Sequence, residues 1–367
     1  MSCHRSARRP QPATRPMSAP VTFVWPGDLH LDHPGRDNHR VALWMADEVS
    51  SLIAPDFVQF AGDNVQHARD DEFALFDEVT SRLTVPWHAL VGDHDAHQDP
   101  GAHAFQARLG VTYKAFSLRG FRFICLNSMQ SKPLGISPEQ LLWFRYELDG
   151  AVLRGERIVL FQHHFPFQIW EDFLSAPGMA AWRELVQTRP IHAVFSGHTH
   201  YGQMANDAHT VYVATRSIGE PEGGPAGYAV VTLDDEHLAV TYRSVEDAGP
   251  LVQVVEPRRS ILATRAAQIV SGPSTCRVRV WSTAPVTSVE GRVDDGEWFT
   301  LSAAGHGWWR SPLHGEVLAK GEHALEVRAV DVAGVVGQEQ IRFFVDRSGR
   351  FNPVPAVEPP VQFTKFC

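Results

Sequence analysis

VTFVWPGDLHLD, residues 21–32, joins two unlike halves. The first five residues are apolar, β-branched or aromatic, the composition of a strand covered on both faces. The chain then breaks at Pro-Gly and presents Asp28 and His30 two residues apart, a spacing that projects both side chains to one side of an extended segment. A buried strand thus delivers an acid and an imidazole at its C-terminal end. The fold follows from how often this arrangement recurs.

Four more apolar runs end in the same way: DFVQFAG (56–62), RFICLN (122–127), RIVLFQ (157–162) and HAVFSG (192–197). Between them lie RVALWMADEVSSLI (40–53), DEFALFDEVTSRL (71–83) and SPEQLLWFRYEL (137–148), whose apolar residues stand three and four apart and predict helices. The last carries its own start signal, with Ser137 as N-cap, Pro138 in the first turn and Gln140 completing a capping box. Alternating strands and helices predict an α/β layered core, in which the loops leaving strand C-termini collect the functional groups.

From about residue 210 the pattern turns to strands alone. VYVATRS (211–217) and YAVVTLDDEHLAVTYRSV (228–245), with DDEH as a hairpin turn, finish the first domain, assigned to 21–250. After GPLVQVVEPRRS, alternation with period two through CRVRVWS (276–282), VTSVEGRVDDGEWFTL (286–301), GWWRSPL (307–313), HALEVRAVDVAG (323–334) and QEQIRFFVD (338–346) predicts a small Ig-like β-sandwich over 258–347. Residues 1–20 read as a flexible, basic, Pro-containing arm, and 348–367 as an extended strap or a disordered end.

Composition narrows the function. With 367 residues and 44% hydrophobic content the chain can bury a large core, and its net charge of -9 argues against a nucleic-acid polymer or an anionic membrane as partner. Cys3, Cys125, Cys276 and Cys367 are too scattered for a disulfide framework or a cysteine zinc site. No apolar stretch long enough for a signal segment or a membrane span is visible, so the expected compartment is the cytoplasm. The sandwich is a candidate surface for self-association.

Asp and His concentrate in GDLHLD (27–32), AGDNVQH (61–67), VGDHDAH (91–97), FQHHFPF (161–167) and FSGHTHYGQ (195–203). Any one has an ordinary reading: Gly-Asp after a strand is usually a turn, His-His a packed pair, and GHTH a loop whose histidines cap backbone groups. Together they offer seven or eight oxygen and imidazole donors at one rim, more than a single ion needs. Two ions of the Mn, Fe, Zn or Co kind are the economical reading.

In order, DLH, GDN, GDHD, HHFP and GHTH resemble the calcineurin-like metallophosphoesterase family, whose pattern is D-x-H, G-D, G-N-H-D/E, H and G-H-x-H. The resemblance covers roughly 21–246, and the helix after LNS is similar to that of the cyclic-nucleotide phosphodiesterase branch. It implies a four-layer α/β/β/α sandwich and a two-metal phosphoesterase. Asp28, His30 and His200 would hold one ion, Asp63 would bridge, and His198 with a middle histidine would hold the second. The family's H-x-P favours His164 as that histidine; a strand ending one residue earlier favours His163. Asp93 stands where the family has an asparagine ligand. His94 corresponds to the histidine that serves the leaving oxygen, with Asp95 expected to orient its ring. Asn64, His67, His97 and Tyr201 are outer candidates.

The resemblance implies in-line attack on phosphorus by a metal-bridging hydroxide in a small phosphoester substrate. Diesters, cyclic nucleotides among them, are the first expectation and monoesters of the same chemistry the second. A non-catalytic binding module that keeps the fold is a third reading, disfavoured because nearly every donor is present.

Overall fold

The computed structural model describes residues 19–96, 99, 101–130, 134–166 and 175–358. The N-terminal arm and His97 lie outside them. Two sheets form the first body. One has five strands in the order β11-β10-β1-β2-β3: β1 (Val21–Trp25), β2 (Phe57–Phe60) and β3 (Trp87–Ala89) run parallel, and β10 (Gly227–Leu233) and β11 (Leu238–Ser244) join antiparallel.

The other sheet has seven strands, ordered β20-β8-β9-β7-β6-β5-β4. Its parallel centre is β5 (Phe121–Cys125), β6 (Arg157–Phe161), β7 (Ile191–Ser196) and β9 (Val211–Ala214). Antiparallel strands flank it: β4 (Lys114–Leu118) on one side, β8 (Gln203–Asn206) and β20 (Ala356–Glu358) on the other.

The two sheets face each other across an aromatic layer. Phe23 stacks on Phe57 at 5.1 Å and meets Phe161 and Phe195 edge-on at 5.4 and 5.2 Å, while Trp25 stacks on Phe161. Helices cover the outer faces: α1 (Asp37–Glu48), α2 (Asp70–Ser81) and α3 (His103–Leu109) on the five-stranded sheet, α4 (Pro138–Arg154) and α5 (Met179–Gln187) on the seven-stranded one. Four layers result, α/β/β/α. Ser137 caps α4 as its sequence predicts, accepting the Gln140 N–H at 3.2 Å.

The second body is a β-sandwich of two antiparallel four-stranded sheets, β12-β13-β17-β16 and β15-β14-β18-β19. Its strands are β12 (Leu251–Glu256), β13 (Pro273–Trp281), β14 (Val286–Val293), β15 (Phe299–Thr300), β16 (Ser302–Gly305), β17 (Trp308–His314), β18 (Gly321–Asp331) and β19 (Val336–Val345). Val254, Val278 and Leu313 of one sheet share a core with Val289, Leu325 and Phe343 of the other. The segment Leu251–Glu256, read from sequence as connection, is a strand paired to β13 because alternate residues have an apolar face to cover.

Buried charges bind the two bodies. Arg277 of β13 pairs with Asp234, which is 1% exposed, and Glu339 of β19 accepts from Thr241 of β11 at 2.7 Å. The chain then returns to the first body, where β20 extends the seven-stranded sheet beside β8.

Because Phe23 is fully buried and touches four aromatic rings, Phe23→Ala removes both transfer energy and packing. A loss of about 3–5 kcal/mol is expected. Urea unfolding followed by tryptophan fluorescence measures it, and Phe23→Leu should lose clearly less.

Candidate metal centre

The parallel strands β1, β2, β3, β6 and β7 all discharge their C-termini at one rim, so five loops distant in sequence meet there. Carboxylates and imidazoles converge in two groups, Asp28, His30, Asp63 and His200 in one and Asp93, His163, His164 and His198 in the other; Asp63 and Asp93 also lie together with His94.

In the first group His30 Nε2 and His200 Nε2 are 3.1 Å apart. Two neutral imidazole nitrogens that close present lone pair to lone pair unless a proton or a cation lies between them. His30 is turned by Gln66, whose Oε1 lies 2.8 Å from Nδ1. Burial lowers the pKa of His30 and takes that of His200 down to about 3, which favours the neutral, ligating form of each. Asp28 Oδ1 accepts the backbone N–H of His198 at 2.9 Å, whereas its buried Oδ2 has no hydrogen-bond partner. Burial pushes Asp28 up to about 7.

In the second group Asp93 Oδ1 lies 3.1 Å from His163 Nε2 and 3.0 Å from His198 Nδ1. His163 Nδ1 is 2.8 Å from the Ala61 carbonyl, to which it can only donate, so Nε2 faces the acids; Asp63 Oδ2 is 3.3 Å from it. Against the penalty of burial, Asp63 raises His163 well above the ordinary imidazole value, and His163 in turn holds Asp63 and Asp93 below the usual carboxylate range. The carboxylates around His163 thus favour positive charge at its place. His164, the histidine favoured by the H-x-P pattern, sits farther out: its Nε2 is 3.9 Å from Asp93 and its Nδ1 is 2.7 Å from Ser128 Oγ.

His94 flanks both groups. Its Nδ1 lies 2.9 Å from the Gln66 carbonyl, its Nε2 3.9 Å from Asp93 Oδ2, and its backbone N–H donates to Asp63 Oδ1 at 2.9 Å. Burial opposes protonation of the ring, but the Asp63 charge outweighs it and raises the pKa. The role expected for Asp95 is corrected here. Its fully buried carboxylate accepts from the backbone of Asn64, Val65 and Gly92 and from Asn64 Nδ2, all at 2.9–3.1 Å, and so ties the GDN loop to the GDHD loop; the Gln66 carbonyl orients His94. Gln66 and Ser128 were not legible as site residues: Gln66 lies in AGDNVQH and Ser128 in LNS, but neither is one of the Asp or His donors that drew attention to those stretches. His67 pairs with Glu72 at 2.9 Å at the edge of the site.

The backbone is strained where the donors sit. Asp28, His30, Asp63, His198 and His200 all have positive φ, between 25° and 67°. For residues with a Cβ this conformation costs about 1–2 kcal/mol each, and such strain marks functional loops. Close packing enforces it. A Cβ on Gly92 would lie 2.0 Å from Asp63 Oδ1, and one on Gly62, itself at φ +99°, would lie 2.5 Å from His163 Nδ1. Each glycine clears space for a donor from another loop.

Hard carboxylate oxygens, converging imidazoles, an orphaned carboxylate oxygen and two ring nitrogens 3.1 Å apart fit a pair of divalent ions. Comparison with known proteins agrees. Residues 21–202 match the family model described as calcineurin-like phosphoesterase. A curated relative, the probable glycerophosphodiester phosphodiesterase GpdQ of Arcobacter nitrofigilis, is 27% identical over 201 residues, 49% of this chain and 72% of the relative. Among solved structures, a dimetal phosphatase from Danio rerio superposes with a TM-score of 0.53 at 15% identity, over 61% of this chain and 96% of that one. The purple acid phosphatase PPD1 of yellow lupin superposes at 0.50 and 14%, over 63% and 52%. These likenesses bear on the fold, while the ordered motifs and the family model bear on descent. The chain belongs, through its residues 21–202, to the calcineurin-like phosphoesterase family.

Proposed function

We propose that this protein hydrolyses small, hydrophilic phosphodiesters with two metal ions of the Mn, Fe, Zn or Co kind. The observation that carries the reading is the pair of donor groups at one rim, with Asp63 near both. Asp28, His30 and His200 would hold the first ion, Asp93, His163 and His198 the second, with Asp63 between them. His163 takes precedence over His164 because its Nε2 is 3.1 Å from Asp93 and 3.3 Å from Asp63. Bound ions would supply Lewis acidity and a water acidic enough to act near neutral pH.

The chain's own groups supply the rest. With Nδ1 committed to the Gln66 carbonyl, His94 holds its exchangeable proton at Nε2, the nitrogen nearer Asp93, where it can be passed to a departing alkoxide. Beside His30 a cavity of about 480 Å³ opens, lined by Arg36, Asn38, His67 and Glu220 among others. Its polar walls suit the alcohol portion of a hydrophilic ester better than an apolar one. The relative named as a glycerophosphodiester phosphodiesterase supports a diester of this kind.

A kinetic panel on metal-loaded protein tests the reading. Diesters, glycerophosphodiesters included, should give a higher kcat/KM than the matching monoesters. Chelation to trace metal should abolish turnover, and elemental analysis of active protein should find two ions per chain. Full activity without metal would sink the proposal.

Metal stoichiometry assigns the ligands. His163→Ala should lose one ion and His164→Ala keep both. Asp93→Asn, which removes one negative charge at nearly constant shape, should weaken the second ion in a metal titration; unchanged affinity would remove Asp93 from the ligand set.

His94→Ala should keep both ions and slow turnover by about 10²–10⁴-fold with poor leaving groups. With nitrophenolate as leaving group the loss should shrink, and an equal loss across leaving groups would give His94 another role.

A further inference from the structure

A cavity of about 560 Å³ lies apart from the candidate metal centre. It lies where the aromatic layer between the two sheets runs out, with β8 and β9 on one side, β10 and β11 on the other, and the β-sandwich as its roof. Met204, Ala214, Ala229 and Val240 give it an apolar floor. Three guanidinium groups meet it, Arg216 from the first body, Arg259 from the connection and Arg342 from β19. Glu358 is the acid in its lining.

These arginines are poorly neutralised. Arg216 makes no ion pair among the described residues; it donates to the carbonyls of Pro225 and Gly223 at 2.8 and 3.1 Å and lies 4.4 Å from the centre of the Tyr242 ring. Its Nε is buried with no hydrogen-bond partner. Arg259 has one long contact, 3.4 Å, to Glu339, a carboxylate already engaged by Thr241 and the Val254 N–H. Arg342 pairs at 3.1 Å with Glu322 while remaining 68% exposed at the cavity mouth. A volume in the range of small-molecule sites, an apolar floor and convergent guanidinium donors select a ligand with an apolar body and an anionic head.

We propose that this cavity binds a small organic anion, its charged head on Arg216, Arg259 and Arg342 and its apolar body on Met204, Ala229 and Val240. The wall it touches backs onto the metal centre. The Arg216 carbonyl packs on Gly27 closely enough that a Cβ there would lie 2.6 Å away. The next residue, Ser217, donates its hydroxyl to the Asp28 carbonyl at 2.8 Å and its N–H to the His200 carbonyl at 3.1 Å.

Fluorescence titration of the full, metal-loaded chain with anilinonaphthalene sulfonate, an apolar anion of suitable size, tests the site. Saturable binding of one dye per chain is expected, weakened roughly tenfold or more in Arg216→Gln. Because Arg216 also anchors the 223–225 turn, the double variant Arg259→Gln, Arg342→Gln provides a second measurement that does not disturb that turn, and it should weaken the dye as well. Uncharged N-phenylnaphthylamine should bind wild type at least about tenfold more weakly than the sulfonate. Non-saturable binding, affinity unchanged in both variants, or equal affinity for the uncharged dye would overturn the proposal.

Discussion

Three carboxylates, the buried Asp28 and Asp63 and the partly exposed Asp93, are brought within reach of shared imidazoles at one rim, and the architecture around them depends on how that charge is balanced. Asp28 and Asp63 are each only 1% exposed. Ionised acids so placed repel one another in a medium that screens them poorly, so the protein must supply positive charge or keep a proton. Burial favours a proton on Asp28, pushing it up to about 7, and against burial Asp63 and Asp93 favour one on His163. Divalent ions, where the proposed ligands hold them, would supply that positive charge without a proton on His163.

Such a site can persist only on a frame that does not relax away from it. Two sheets locked by stacked and edge-on phenylalanines hold the strand ends, and Asp95 ties two of the loops by four hydrogen bonds. Strain at five donor residues is carried by this frame. Gln59 and Cys125 are buried within it as a pair, with Cys125 Sγ 3.4 Å from Gln59 Oε1.

Much of this was legible in the sequence. VTFVW reads as a strand and is one, at the same bounds, because its four apolar residues must be covered on both faces and its threonine is β-branched. The DDEH turn separates β10 from β11 as expected. Less legible were features set by register or by distant partners. Whether His163 or His164 faces the acids depends on β6 ending at Phe161 and on the Ala61 carbonyl that turns the His163 ring, and neither is encoded in the HHFP motif. Asp95 looked like a partner for its neighbour His94 because adjacency is visible in sequence, whereas three of its four bonds come from Asn64 and Val65, some thirty residues away. The helix His103–Leu109 is too short to show a period, and the strand Ala356–Glu358 is decided by an available sheet edge beside β8.

The carboxylate at position 93 changes the balance of tasks at the rim. With two divalent ions bound, three carboxylates leave a single net positive charge, where an amide in the same place would leave two. A less positive centre holds its ions harder but pulls less strongly on a phosphoryl oxygen, so more of the barrier must be lowered elsewhere. The group best placed to do so would be His94, adjacent in sequence and fixed through Nδ1. A proton donor matters most when the leaving group is a poor one, an alkoxide of a sugar or glycerol kind. Under the proposed ligand set, the acid that would tighten the second ion would also shift catalytic weight from the metals to the imidazole beside it, a division of labour that would suit an ester with a poor leaving group better than an activated one.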